Sequence, residues 1–411
     1  MEFRNGRLYI CHFLLYEIYK MKVDRVKFIL FIMVTSTIGQ MAAEIYIPSL
    51  PFIARDFQAS HSLSQLSVTI YLLGMVLPTI LFGYLSDFFG RRKILIVATS
   101  IGLIGNLCCV FAPSIWLFIL GRFIQGVGLG GVGSLARAIM RDRLSGVELA
   151  KFASYLSMIF ALVIDLSPFV GGFLQEFVGW RAIFVLLLVY NAGAVYLSTK
   201  HVDRENISLN NELDMAKLPS IIKDTLSCRT FVKYNLIAAF TYVAIMLYLA
   251  VASFIFEEKI GISPAEFGST TLGLSFVYMF AAFLNGRLLK KYAMDTLIRN
   301  GVILMSLATL ILFIMFFIGV SYWGMVLFVA LMYLACGQLF SNSSASAFTS
   351  ISKNIGVSSA LYSTIQILLA VIFTGIVSLF SALNILPFAC LMLIVCILLA
   401  LLAGYKPKAP K

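Results

Sequence analysis

Gly83-Tyr84-Leu85-Ser86-Asp87-Phe88-Phe89-Gly90-Arg91-Arg92-Lys93 is a short polar turn set between two apolar runs, 64–86 and 93–112. A helix rises ~1.5 Å per residue and a bilayer core is ~30 Å thick, so each run is long enough to cross a membrane. The turn packs three cations into three positions, while the runs beside it hold almost none. The same alternation extends in both directions. Spans fall near 28–52, 64–86, 93–112, 114–139, 150–174, 180–199, 233–256, 265–286, 298–319, 322–348, 355–382 and 384–404. The expected fold is therefore an all-α membrane protein of twelve transmembrane helices.

Composition agrees with that reading. Of 411 residues, 61% are hydrophobic and only 12% charged, with a mean hydropathy of +0.96. A soluble enzyme of this length needs a larger charged surface, and a β-barrel would show alternating strands of about ten residues. The net charge of +12 does not require a nucleic-acid partner. Twenty-six of the 31 Lys and Arg residues fall in one set of loops and at both termini, three (Arg55, Arg181, Lys259) fall in the other set, and Arg122 and Arg137 lie within spans. Basic loops stay cytoplasmic, so both termini are expected there, in a bacterial-type inner membrane, with lipid as the surrounding partner.

The chain divides into a cytoplasmic extension 1–26, a six-helix bundle 27–199, a linker 200–232, a second six-helix bundle 233–404 and a tail 405–411. Met21 opens a second candidate start just before the first long run. Two six-span halves about a polar linker are a transporter architecture, with the substrate site between the halves near mid-membrane. A faint repeat supports it, since Asn285-Gly286-Arg287 with Lys290 and Lys291 follows span eight as Gly83 to Lys93 follows span two. Cys11, Cys108, Cys109, Cys228, Cys336, Cys390 and Cys396 form no metal pattern, and no phosphate-binding loop or nucleophile elbow is present. No enzyme activity, cofactor or metal is expected.

The turn at 83–93 resembles the signature loop of the major facilitator superfamily, with Phe88 where a basic residue is usual. Gly121-Arg122-Phe123-Ile124-Gln125-Gly126 and Pro168-Phe169-Val170-Gly171-Gly172 resemble motifs of its drug:proton antiporter branch, with Ser167 where Gly is common. Glu44-Ile45-Tyr46-Ile47-Pro48-Ser49-Leu50-Pro51 and Ala136-Arg137-Ala138-Ile139-Met140-Arg141-Asp142 are similar to segments of the bicyclomycin-resistance (Bcr/CflA) group, where aspartate is usual at the place of Glu44. The resemblance implies alternating access driven by the proton gradient, with a small molecule and protons as partners and a monomer as the working unit.

The residues themselves nominate the coupling site. An ionisable group inside the hydrocarbon costs roughly 3 kcal/mol on insertion scales and usually faces a cavity. Counting along the helices puts Glu44 roughly 24 Å and Asp165 roughly 22 Å from the cytoplasmic end of their spans, and Arg122 roughly 12 Å from the external end of its own. The three share a layer, and burial holds a carboxylate's proton until an approaching cation displaces it. Glu44 is the first candidate carrier, Asp165 the second, and Arg122 the biasing charge. The alternatives are a static Glu44–Arg122 ion pair and an Asp165 that caps backbone freed by Pro168.

For gating, Gly83 and Gly90 are expected to allow close approach or positive φ, Asp87 to accept from Arg91, Arg141 or a helix N-terminus, and Arg92 and Arg137 to add charge. Pro168, Gly171 and Gly172 suit a bend or a tight contact. Tyr71, Tyr242, Gln338, Asn342 and Gln366 are candidate cavity residues, and interhelical packing is the alternative for the serines that surround Asn342 in span ten. The leading reading is proton-coupled efflux of drugs or amphipathic metabolites. A narrow-substrate carrier, such as an exporter of siderophores or amino-acid derivatives or a symporter, is the second; a membrane scaffold gives no reason for the buried ions. Asp87→Asn is expected to slow turnover more than it weakens substrate binding, and unchanged transport rates would remove the latch role.

Overall fold

The computed structural model describes residues 28, 30–144, 152, 156, 163, 166–201, 218–351 and 355–405. Asp165 and most of the span expected at 150–174 lie outside these residues, as do both terminal extensions, and so do the side chains of Asp87 and Arg141. Eleven helices long and apolar enough to cross a membrane are present among the described residues. They comprise α1 (30–44) continuing through a 3-10 turn (Ile47–Ser49) into α2 (Leu50–Asp56), then α3 (His61–Phe89), α4 (Arg91–Val110), α5 (Ile115–Leu129) with α6 (Val132–Arg143), and α8 (Trp180–His201). The second series is α10 (Arg229–Ser253), α11 (Pro264–Leu288), α12 (Met294–Ile318), α13 (Tyr322–Thr349), α14 (Ile355–Val377) and α15 (Ile385–Gly404). Between them, α7 (166–177) is the described part of the fifth span, and α9 (Leu218–Ser227) precedes α10.

Local chemistry sets the helix ends. Ser60, Ser114, Ser263, Ser321 and Asn384 each accept a backbone amide at the start of α3, α5, α11, α13 and α15. These caps all stand at one end of the bundle and satisfy orphan amides without adding charge. At the opposite end the turns are basic, and Gly90 (φ 90°) reverses the chain between α3 and α4 with no further residue. Gly83 differs from expectation: it is helical, and a Cβ there would meet nothing within 4 Å, so neither positive φ nor close approach explains it.

Three boundaries also differ. The fourth span breaks at Gly130–Gly131 instead of running unbroken over 114–139. The seventh span gains a π-helical turn, Phe254–Ile260, and reaches Ile260 where 256 was expected. The eleventh stops at Val377 rather than 382, although the residues beyond are apolar. Carbonyls of the turn that follows are used by other elements: Phe380 O accepts from Ser62 Oγ at 3.3 Å and Leu383 O from Lys259 Nζ at 2.9 Å.

Glycines let the helices of the first half approach. A Cβ on Gly126 would stand 2.2 Å from Tyr71 O on α3, and one on Gly128 2.1 Å from Gly102 N on α4. The second half is built around α10, against which α13, α14 and α15 pack. Large apolar side chains such as Leu77, Phe111, Trp116, Phe317 and Trp323 face outward. In water such a surface would aggregate; in lipid it is the solvent-facing side.

The halves meet at the serine-capped end. There α14 packs along α3, Thr69 Oγ1 donates to Thr374 Oγ1 at 3.0 Å, and Gln65 Nε2 donates to Ala250 O at 3.1 Å. Arg55 pairs with Glu258 at 3.0 Å, and the Glu176 carboxylate accepts from Ser263 Oγ at 2.8 Å and Ala265 N at 3.0 Å. A Cβ on Gly172 would lie 2.2 Å from Pro264 O and one on Gly268 2.7 Å from Pro168 O, so α7 and α11 touch backbone to backbone. Among the described residues, the hydrogen bonds and ion pairs between the halves lie toward this end, which makes the structure closed there. Overpacking typically costs about 1–3 kcal/mol, so Gly172→Val is expected to part the halves. Faster thiol labelling of Thr69→Cys would report this, and unchanged labelling would show the contact is not needed for closure.

Candidate functional site

Glu44-Ile45-Tyr46-Ile47-Pro48-Ser49-Leu50-Pro51 breaks its own helix. Pro48 and Pro51 have no amide to give to the turn before them, and the chain passes from α1 through the turn at Ile45–Tyr46 and a 3-10 segment into α2. A carbonyl at the end of α1 can therefore take a side-chain donor. Arg122 supplies it, with Nη1 donating to Ala42 O at 3.0 Å.

Arg122 is fully buried. Its guanidinium lies 4.1 Å from the ring centroids of both Tyr46 and Tyr71, so one ring belongs to the broken segment and the other to α3. Nη1 also contacts Gln125 Oε1 one turn along α5; Gln125 Nε2 in turn donates to Asn106 Oδ1 on α4. The rings are held too, Tyr71 by donating to Gly39 O at 2.5 Å and Tyr46 through Ser67 at 3.1 Å. Nε and Nη2 have no hydrogen-bond partner, and no described carboxylate pairs with Arg122. Aromatic faces and a carbonyl dipole stabilise the cation here instead of a counter-charge.

Glu44 takes a separate position. It is 4% exposed, and Gln40 Nε2, one turn earlier on α1, donates to its Oε1 at 2.5 Å. Tyr242 of α10 lies near enough to Gln40, Glu44 and Tyr71 to act on them electrostatically. The second half thus places a phenol near the first-half acid. Of the alternatives left open by the sequence, a static Glu44–Arg122 pair is not formed. The layer shared by Glu44 and Arg122 is present, while Asp165 lies outside the described residues.

The other candidates separate into groups. Tyr71 and Tyr242 join the central layer. Asn342 is paired with Asn285 of α11 at 2.8 Å and Gln338 with Asn300 of α12 at 2.8 Å, which is helix packing within the second half. Gln366 is buried on α14 with its Nε2 unpartnered. At the basic end, Arg91 binds Asp142 at 3.0 Å and Ser86 Oγ at 2.5 Å, and Arg92 donates to Thr199 O at 2.5 Å. These contacts tie α4 to α3, α6 and α8 inside one half. Arg137 donates to Ser134 Oγ at 3.2 Å. Gly171 lies against the broken helix, with a Cβ there only 1.7 Å from Ile45 O. Gln40, Tyr46 and Asn106 were not assigned roles from sequence. Gln40 carried a usable signal, an amide four residues before an intramembrane acid.

Comparison with known proteins bears on this geometry. The sequence profile described as Major Facilitator Superfamily matches residues 31–374. An uncharacterized MFS-type transporter of Bacillus subtilis (strain 168), YdgK, is 29% identical over 349 residues, covering 83% of this chain and 85% of that protein. Multidrug resistance protein D of Escherichia coli (strain K12) is 27% identical, covering 83% and 86%, and a bicyclomycin resistance protein homolog of Haemophilus influenzae is 24% identical, covering 85% and 88%. In fold the chain is similar to a D-xylose-proton symporter, with a TM-score of 0.69 at 16% identity over 93% of this chain and 97% of the other.

Lysine retains the charge at position 122 but cannot lie flat between two rings, and a desolvated cation–π contact is worth about 2 kcal/mol. Arg122→Lys is expected to lower transport at least about ten-fold, about 1.4 kcal/mol, with normal amounts of protein in the membrane. Wild-type transport rates in that variant would show that charge alone suffices.

Proposed function

The chain belongs to the Major Facilitator Superfamily and is a transporter rather than an enzyme, and from that premise we propose an antiporter that exports drugs or small amphipathic metabolites against an inward flow of protons. Twelve spans, cytoplasmic termini and a bacterial-type inner membrane belong to the same proposal, so the closed, serine-capped end is the external one. The monomer is the working unit. The observation that carries the reading is a pair of buried ions in one layer of the first half: Glu44, 4% exposed and bonded by Gln40, and Arg122, which no described acid neutralises.

The mechanism follows from ordinary electrostatics. Neutral Glu44 is the form a dry site tolerates. A cationic substrate entering from the cytoplasm beside Tyr71 and Tyr242 favours the ionised form, and the proton leaves. Arg122 keeps the layer positive, so that an ionised Glu44 is stabilised rather than stranded. Because Tyr242 of the second half lies within electrostatic reach of Glu44, exchange of proton for substrate changes the charge that one half presents to the other, and that is the element alternating access requires. The multidrug and bicyclomycin names of two relatives support export. Asp165 remains the second proposed carrier and Asp87 with Arg141 the proposed cytoplasmic latch.

Glu44→Gln is expected to abolish substrate-induced proton movement in everted vesicles with an imposed pH gradient, while the protein still reaches the membrane. Undiminished exchange would sink the assignment. Profiling substrates in the same vesicles separates broad efflux from a narrow-substrate carrier.

A further inference from the structure

The π-helical turn at the end of α10, Phe254-Ile255-Phe256-Glu257-Glu258-Lys259-Ile260, carries two adjacent acids with opposite surroundings. Glu258 is shared by two side chains of the other half, Arg55 on α2 at 3.0 Å and His61 on α3 at 3.1 Å. Glu257 is turned inward, and among the described residues neither of its enclosed carboxylate oxygens has a hydrogen-bond partner. The wider turn of a π-helix allows this divergence, because it rotates successive residues differently from the regular helix before it. Phe254 stacks near His61 at 4.9 Å, and Phe256 lies against Phe267 and Tyr322, so the turn is anchored by aromatic contacts on both sides.

We infer that Glu257 is a second proton-binding site, placed at the external gate, which is occupied when the gate is shut and emptied when the gate opens. The charged groups around it leave no other role for an ionised carboxylate. Arg55 is the cation nearest in effect, and it is already committed to Glu258. Lys259 is directed to Leu383 O, Asp56 is taken by Arg181 at 2.6 Å, Glu266 closes a capping box with Ser263, and Glu176 binds the same serine. Glu258 itself adds repulsion. A carboxylate with no partner and no water is costly in its charged form and cheap as the acid. When the halves part, Glu258 loses Arg55 and His61, water reaches the turn, and Glu257 releases its proton to the outside. The sign is fixed by this cycle: external acidity favours closure, and rising pH favours opening. Under the antiport reading, which supplies only its physiological sense, a proton from outside thus helps to close the external side behind the departing substrate.

The test is a distance across the gate. Phe111 at the end of α4 and Ile318 at the end of α12 are 74% and 79% exposed, one in each half. Spin labels on Phe111→Cys and Ile318→Cys, in a background without other cysteines, would report separation as pH is varied. The wild type is expected to populate a longer distance as pH rises. Glu257→Gln should keep the short distance throughout, and His61→Gln should retain the pH response. A wild-type response in Glu257→Gln, or its loss in His61→Gln alone, would overturn the proposal and assign the switch to the histidine. Should Glu257→Gln fail to reach the membrane, Glu257→Asp keeps the test open, since a displaced midpoint is expected and an unchanged one would overturn it. The response must also persist in Glu44→Gln, so that the gate and the central carboxylate can fail separately.

Discussion

A buried guanidinium with no carboxylate partner among the described residues is the constraint around which the first half is arranged. Arg122 is tolerated because two tyrosine rings lie 4.1 Å away and the broken end of α1 offers a carbonyl. Each of these has its own requirement. The carbonyl depends on the prolines that end α1, the Tyr71 ring on a bond to Gly39 O, and the approach of α5 to α3 on Gly126, where no side chain fits. The charge is stabilised by induced and fixed dipoles, and the nearby acid, Glu44, is bonded by Gln40 instead of by this cation.

The two ends of the bundle follow different chemistry. At the basic end, cations make hydrogen bonds within one half, as Arg91 and Arg92 do, and the turns stay close to a charged surface. At the capped end, uncharged serines terminate the helices and glycines meet prolines across the interface, so the halves can come together without stranding a charge. The three basic residues at this end are all engaged: Arg55 by Glu258, Arg181 by Asp56, and Lys259 by Leu383 O. Closure here is therefore both a packing event and an electrostatic one.

The spans were legible because a lipid solvent leaves a helix few choices, and each of the eleven described crossings lies at an expected place with ends moved by a few residues. Errors arose where apolar residues serve something other than a helix. Leu379 to Asn384 form a turn because their carbonyls are needed by Ser62 and Lys259, and hydrophobicity has no record of that demand. In the site, Glu44 and Arg122 stood out as ions in an apolar field, and Tyr71 and Tyr242 as polar aromatics. Asn342 and Gln338 looked the same in sequence as cavity amides, yet their partners sit on neighbouring helices, 57 and 38 residues away respectively.

By itself, the sequence determined the class of solvent, the number and order of apolar runs, the bias of charge to one set of loops and the few ions that the interior has to hold. Each is a property of local composition, read against the thickness and polarity of a bilayer. Only the tertiary structure decided what those ions touch. Whether Arg122 faces Glu44 or two tyrosines, and whether Glu257 or Glu258 meets the other half, depends on helix rotation and on a π-helical turn, which residue spacing does not encode. Those rotations are set by close contacts between helices far apart in the chain, and they turned a set of buried charges into separate sites.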